Sequence, residues 1–429
     1  MILMPQVSLR AFIVGGSFLI LIVLVGAAVA FRGSKIDGLN FGPNLAPSDA
    51  SSQDEKEDAI TLPKADIGKL YDNITQTCFS SDDHCYNEGL KTITAEFGPV
   101  AALDVLSTLE ENHLIQATTD DHQLAHAIGR KTAERFGIHG QGFLLCPTTF
   151  NYGCQHGFFE YALGKANSTK EVINQICGAF ETNPNYSAKF KFYCYHGVGH
   201  GVMMAEAYDL ASSIAVCDSL DSMIAIEGCW QGVFMENVNA GMRGEARDGV
   251  FSKLEPLAPC SNLEQKYRHE CFINHAGWLM QIFSNSVRDA SSACMKAPSG
   301  SIDSCMQSIG LMVTNPVWQA VLANPPAGGL SPGESSESIA WQLCLEFPSA
   351  YQEQCLLGAV DNILNFDELK VTRAGSFCAL VQANWRDSCY RRIGSNLRAQ
   401  VTDQGKAHDG CSTFAPHERD LCLMGAGIQ

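Results

Sequence analysis

The longest apolar stretch of the chain runs from Ala11 to Phe31, which is 21 consecutive positions without a charged residue. At about 1.5 Å per residue, a helix of this length spans a hydrocarbon core of about 30 Å. Arg10 before the stretch and Ala28-Val29-Ala30 near its end also fit a cleaved secretory signal. The apolar region of such a signal is usually only about 7–15 residues long. We therefore expect residues 1–31 to form a membrane anchor, with a cleaved signal as the alternative.

The pattern changes after this segment. Residues 32–64 are rich in proline, glycine, serine and acidic residues without any apolar period, which is typical of a flexible, solvated tether. Over residues 65–429, apolar positions recur with the period of a helix, and alternating patterns long enough for strands are absent. The sequence therefore predicts an all-α domain over 65–429, behind a single N-terminal transmembrane helix and an acidic tether.

The eighteen cysteines divide the helical region into repeats. Taken in order as neighbours, the last five pairs are each eleven residues apart, and most steps between their first cysteines are 33 or 34 residues, as from Cys344 to Cys378. A period of this length is typical of a helix–turn–helix repeat. We predict nine sequential disulfides that each join the two helices of a hairpin. One further hairpin between Phe97 and Cys146 has no pair, so we expect about ten hairpins, arranged as an α-solenoid or an α/α ring.

The cysteines also indicate the compartment. An even number of regularly spaced cysteines behind an N-terminal membrane signal is typical of disulfides formed in an oxidising environment. Zinc is the alternative, but a zinc site favours cysteines two to four residues apart, and no ordered pair is that close. We therefore expect the helical domain to be extracellular or periplasmic, or secreted if the N-terminal segment is cleaved.

The charge balance restricts the class of partner. The chain has 46 acidic and 29 basic residues, a net charge of −17. A nucleic-acid binder needs a basic face that neutralises phosphates, so this class is excluded. The expected partners are the membrane, through the N-terminal helix, and a protein or a glycan.

Glycine recurs three positions after the second cysteine of five pairs. The residues are Gly157, Gly197, Gly232, Gly358 and Gly425. Glycine inside a helix costs about 1 kcal/mol relative to alanine, so its repetition requires a local reason. We expect close approach between neighbouring second helices, or space above a site on the same helix face.

Potential metal ligands recur at fixed spacing in three successive second helices. The segment DDHQLAHAIG carries His122 and His126, CQHGFFEYALG carries His156 and Glu160, and CYHGVGHGVM carries His196 and His200. The two residues of each pair are four positions apart, so they share one helix face. The next second helix has Gln231 and Met235 in the same register, with Glu236 one residue further on.

These groups suit a transition-metal ion such as Zn, Fe, Mn or Cu. They are enough for one ion with spare groups, or for two ions bridged by Glu160. We expect a single site in a metal-dependent hydrolase or oxygenase, with Glu160 or Glu236 as the proton acceptor. The alternatives are a pH-sensitive histidine cluster, or structural histidines in a non-catalytic scaffold that binds a protein or a glycan.

Overall fold

The computed structural model describes residues 60–78, 83–115, 120–150, 152–166, 169–247, 249–314, 335–366, 371–401 and 403–428. The predicted anchor over residues 1–31 and most of the predicted tether lie outside these ranges. Within them, no helix is both long enough and apolar enough to cross a membrane. The described part of the chain is helical and contains no strand, which confirms the all-α prediction for these residues.

The helices follow one another as short hairpins. The first half contains α1 (Ile67–Thr77), α2 (Asp83–Phe97), α3 (Pro99–Glu111), α4 (Asp120–Phe136), α5 (Gly140–Leu144), α6 (Gly153–Gly164), α7 (Thr169–Ile173), α8 (Ala179–Glu181), α9 (Ala188–Ala205), α10 (Leu210–Asp218) and α11 (Met223–Arg243). The second half contains α12 (Gln265–Asn274), α13 (Ala276–Ile282), α14 (Val287–Cys294), α15 (Ile302–Val313), α16 (Ser336–Leu345), α17 (Gln352–Phe366), α18 (Val371–Leu380), α19 (Ala383–Gln400), α20 (Gln404–Cys411) and α21 (Pro416–Ala426). A π-helical turn (Asn174–Gly178) joins α7 to α8, and 3₁₀ turns (Cys260–Asn262 and Ser349–Tyr351) precede α12 and α17.

Local sequence explains where many of these helices begin. A side-chain oxygen that accepts a backbone N–H of the first turn stabilises a helix start, and proline is favoured at the first helical position. The capping residues of this kind are Asp66, Ser187, Asp209, Ser222, Ser286, Ser335 and Asp403. Pro99 and Pro416 open α3 and α21. The polar turns that separate the apolar stretches in the sequence therefore also fix the starts of the helices.

Nine disulfides join the helices in the predicted order. The pairs are Cys78–Cys85, Cys146–Cys154, Cys177–Cys194, Cys217–Cys229, Cys260–Cys271, Cys294–Cys305, Cys344–Cys355, Cys378–Cys389 and Cys411–Cys422. Their Cα–Cα distances lie between 5.4 and 5.8 Å, the usual span of a disulfide. The hairpin of α3 and α4 lacks a disulfide, as the sequence predicted. The nine sequential disulfides are thus confirmed. Together with the hairpin of α3 and α4 they give ten hairpins within the described ranges.

The second helices of successive hairpins pack side by side in a row. This row consists of α2, α4, α6, α9, α11, α12, α15, α17, α19 and α21. Buried apolar residues of all the hairpins join in one continuous core. The row also curves back on itself, because α9 contacts α19, and Lys189 Nζ donates to Asn365 Oδ1 of α17 over 2.9 Å.

Glycine holds four pairs of second helices in close contact. The pairs of glycines are Gly129 with Gly157, Gly199 with Gly232, Gly310 with Gly358, and Gly394 with Gly425. A Cβ atom at any of these positions would lie between 1.9 and 2.3 Å from a carbonyl oxygen of the partner helix. In each case this carbonyl belongs to the residue three positions before the partner glycine. The predicted close approach is therefore confirmed at four of the five glycines. Gly197 differs, because it faces the Phe159 ring instead of backbone.

Substitution of Gly358 by alanine tests this packing away from the histidines. The new Cβ would lie 2.1 Å from the Gln307 carbonyl oxygen, so α15 and α17 must separate. We expect Gly358→Ala to lower the free energy of unfolding by about 1–3 kcal/mol, measured by denaturant unfolding with the disulfides intact. Gly164→Ala is the control, since a Cβ there meets nothing within 4 Å and should leave stability unchanged or slightly raised. Equal effects of the two substitutions would contradict the glycine–carbonyl contact.

Candidate metal centre

The histidine-bearing helices α4, α6 and α9 lie next to one another in the row of second helices, followed by α11, which carries Gln231 and Glu236. The glycine contacts that join them involve the histidines themselves. The carbonyl of His126 faces Gly157, and the carbonyl of His196 faces Gly232. Close backbone packing therefore places the ligand-bearing faces of adjacent helices within the reach of an imidazole side chain.

On α4, His122 and His126 form the first pair. Their Nε2 atoms are 2.9 Å apart. The Nδ1 atom of His122 lies 2.8 Å from the Phe150 carbonyl oxygen, and Nδ1 of His126 contacts the Glu160 carboxylate of α6. Arg130 donates to the other oxygen of Glu160. Each imidazole is thus held through Nδ1, and the two Nε2 atoms face each other.

On α9, His196 and His200 repeat the arrangement. Their Nε2 atoms are 3.1 Å apart. Nδ1 of His196 lies 3.0 Å from Gln231 Oε1, and Nδ1 of His200 lies 3.0 Å from Glu236 Oε2, both on α11. Arg243 donates to Oε1 of Glu236 over 3.0 Å. Glu236 therefore has the same relation to His200 as Glu160 has to His126. Arg243 lies on the helix of its carboxylate, whereas Arg130 lies on the helix of the histidines.

His156 of α6 lies between the two pairs. Its ring centroid is 5.6 and 5.4 Å from those of His122 and His126, and 5.5 and 4.2 Å from those of His196 and His200. Both of its ring nitrogens are buried without a hydrogen-bond partner among the described residues. Two groups, His122–His126–His156 and His156–His196–His200, each offer nitrogen atoms within 4.8 Å of one another. These are histidine clusters that can hold a metal ion.

The carboxylates beside the histidines are ionised. Burial by itself raises the pKa of Glu160, but His126 and Arg130 outweigh burial and bring that pKa down to about 2. Burial likewise raises the pKa of Glu236, and His200 with Arg243 outweighs it and lowers that pKa below its usual value. An ionised carboxylate and a backbone carbonyl only accept hydrogen bonds. The Nδ1 atoms of His122, His126 and His200 must therefore carry the proton that each donates.

In the neutral form of each ring, this protonation leaves Nε2 as an acceptor nitrogen with a free lone pair. A neutral imidazole has one N–H and one acceptor nitrogen. Burial, followed by the nearby His126, lowers the pKa of His122 to about 3, and burial lowers the pKa of His156 and His196 well below the usual value. When both rings of a pair are neutral, their lone pairs face each other at 2.9 or 3.1 Å, and a cation that both can coordinate removes the repulsion. The arrangement therefore fits a metal ion at each pair.

The centre is shielded from solvent. His126, His156, His196 and His200 are only 2–4% exposed, and His122 is half-buried. The guanidinium groups of Arg130 and Arg243 reach towards solvent, with side chains 39% exposed.

Comparisons with family models, with curated proteins and with solved structures find no match to this chain.

All of the predicted site residues meet in this region, in an arrangement that differs in two respects from the expected one. The histidines form two groups that share His156, where the sequence suggested one site. Glu160 lies at Nδ1 of His126, on the side of the ring away from the paired Nε2 atoms, and Glu236 has the same place beside His200. Neither carboxylate belongs to the two groups.

Sequence reasoning missed the residues that hold these carboxylates. Arg130 follows His126 by one helical turn, and Arg243 follows Glu236 by two turns, so each shares a face with a predicted site residue. This spacing is the signal that could have found them. The Phe150 carbonyl had no signal at all, because a backbone atom is available at every residue.

Loss of the Glu160 charge tests whether the carboxylate orients His126. Glu160→Gln keeps the shape of the side chain but removes the charge that fixes the tautomer of His126. We expect the affinity for Zn²⁺ to fall about 10–100-fold, measured by competition with a chelator, as for other partners of ligand histidines. Glu134→Gln on the exposed part of α4, where Glu134 pairs with Lys131, is the control and should leave affinity unchanged. Equal affinities of the two variants would rule out the orienting role.

Proposed function

We propose that this protein is a membrane-tethered, extracytoplasmic metalloprotein, and that the histidine centre makes it a metal-dependent enzyme. One observation carries the proposal. Four histidines on α4 and α9 have Nδ1 committed to acceptors, and their Nε2 atoms converge in pairs at 2.9 and 3.1 Å beside His156. Histidine ligands of metals characteristically donate their second ring N–H to a carboxylate or carbonyl in this way.

The donor set favours zinc, copper or iron over manganese among the four metals that the sequence allows. All of the converging atoms are imidazole nitrogens, which suit Zn, Cu and Fe, whereas Mn prefers carboxylates and water. Both carboxylates engage Nδ1 atoms and arginines instead. In this proposal Glu160 and Glu236 orient the ligand histidines, in place of the ligand and proton-acceptor roles that the sequence suggested.

The coordination number supports catalysis. Each group supplies three nitrogens, and catalytic zinc sites typically have three protein ligands and one open position, whereas structural sites have four. A metal bound in this way activates water or polarises a substrate oxygen, which is the chemistry that a hydrolase or an oxygenase needs. The chain's own residues would bind the ion, fix the tautomers of its ligands and exclude bulk water.

The compartment follows from the disulfides. Nine disulfides, without a free cysteine among the described residues, suggest an oxidising, extracytoplasmic environment. We propose that the segment before residue 65 tethers this domain to the membrane surface.

A non-catalytic scaffold is the second candidate, and one observation favours it. Four of the five histidines are no more than 4% exposed, so a substrate has little access to the ions. Metal would then stabilise the contact between α4, α6 and α9 in a repeat protein whose outer surface binds a protein or a glycan.

Removal of two histidines tests the metal centre. The double variant His156→Ala/His196→Ala loses a member of both groups, so we expect elemental analysis of the purified protein to show loss of the stoichiometric metal. The disulfide-braced helices should remain folded, as shown by an unchanged far-UV circular dichroism spectrum. His275→Ala is the control, because His275 is buried outside both groups with Nε2 bonded to the Pro256 carbonyl. Equal metal content in both variants would refute the proposed centre.

Binding of a small anion separates enzyme from scaffold. An open coordination position accepts azide, and a Co²⁺ ion reports this as a change in its visible absorption spectrum. We expect azide to change the spectrum of the Co²⁺-loaded protein, because three protein nitrogens leave at least one position free. A spectrum that azide leaves unchanged, with Co²⁺ bound, would favour the scaffold.

A further inference from the structure

His156 differs from the other four histidines of the centre in its hydrogen bonding. Each of the others has Nδ1 engaged by an acceptor, namely the Phe150 carbonyl, Glu160, Gln231 or Glu236. Both ring nitrogens of His156 are buried and have no partner in the described part of the chain. An unsatisfied buried polar atom is costly, so two on one ring call for an explanation. Two metal ions would satisfy both atoms.

The position of the ring supports this explanation. The imidazole lies edge-on to His122 and His126, with interplanar angles of 76° and 74°. It stacks on His200 at 19° with the ring centroids 4.2 Å apart, so one of these two rings must rotate for both to coordinate the same ion. His156 belongs to both groups of three histidines, and no other residue does. The two nitrogens of an imidazole lie on different edges of the ring, so each can serve a different group.

The position of His156 is occupied by a different type of residue in each of the other three helix pairs that are joined by glycines. The residue before the second glycine is His156 in the α4/α6 pair, Gln231 in α9/α11, Leu357 in α15/α17 and Met424 in α19/α21. The Oε1 atom of Gln231 contacts Nδ1 of His196, so Gln231 acts only within the α9/α11 pair. His156 instead lies where α6 packs against both α4 and α9, and it is the one ligand available to both pairs of histidines.

We infer that His156 bridges two transition-metal ions, as an imidazolate, in a dinuclear centre. This inference rests on the proposed function, because it requires that the histidines bind metal. One ion is coordinated by Nε2 of His122 and His126 and by one nitrogen of His156. The other ion is coordinated by Nε2 of His196 and His200 and by the second nitrogen of His156. The neutral ring carries one N–H proton, and this proton is released to solvent when the second ion binds.

Loading the full-length protein with Cu²⁺ tests the bridge by electron paramagnetic resonance. We expect uptake of two ions per chain, one for each histidine group. An imidazolate couples the unpaired electrons of its two ions, so the doubly loaded protein should show a spin intensity well below that of two isolated ions. Uptake that stops at one ion, or a full intensity of two independent ions, would overturn the bridge while leaving metal binding intact. Failure to bind any Cu²⁺ would instead refute the proposed function.

A matched pair of variants assigns the coupling to His156. His156→Gln introduces the side chain that the next pair has at the equivalent position, and it removes both coordinating nitrogens. We expect the coupling to disappear, so that any copper still bound shows the full intensity of isolated ions. His275→Gln replaces another fully buried histidine outside the centre and should retain two coupled ions. Coupling that persists in His156→Gln would show that another group bridges the ions. If His156→Gln fails to fold, the intensity measured on the unsubstituted protein decides alone.

Discussion

Reciprocal contacts between glycine and a backbone carbonyl hold the second helices in pairs, and the geometry of the centre depends on these contacts. In the α4/α6 pair, a Cβ atom at Gly129 or Gly157 would lie only 1.9 Å from a carbonyl oxygen of the other helix. Helices packed through larger side chains lie about 8–10 Å apart. Because His126 supplies one contact carbonyl and His156 precedes the contact glycine, the closest backbone approach occurs next to the ligands. The same contact in the α9/α11 pair involves His196.

Hydrogen bonds at the Nδ1 atoms of four rings offset part of the cost of burying five imidazoles. Nδ1 of four rings donates to a carbonyl, an amide or a carboxylate, and an arginine that reaches solvent offsets each carboxylate charge. Cys154 and Cys194, two residues before His156 and His196, anchor these helices covalently to their hairpin partners. A disulfide of this kind stabilises the fold by about 2–4 kcal/mol, largely by restricting the unfolded chain. The ring nitrogens that these contacts leave over are the four paired Nε2 atoms and both nitrogens of His156.

Much of the architecture could be predicted because its signals are local. A disulfide requires Cα atoms about 4.4–6.8 Å apart, so cysteines that recur eleven residues apart across a polar turn constrain each hairpin strongly. Glycine at a constant distance from these cysteines likewise predicted close helix contacts, which the structure has at Gly157, Gly232, Gly358 and Gly425. Gly197 is the exception, because it faces the Phe159 ring of α6, while Gly199 makes the backbone contact between α9 and α11.

The sequence by itself determined which residues share a helix face, because the helical period puts positions four apart, such as His122 with His126 and His196 with His200, on one side. Only the tertiary structure decided how these faces meet. The stagger and rotation of neighbouring helices result from many packing contacts at once, and no spacing along the chain encodes them. That stagger places His156 between two groups and directs Glu160 to Nδ1 of His126. The period of a helix fixes the direction in which each side chain leaves that helix. The distances between helices are set by the packing of all the helices together.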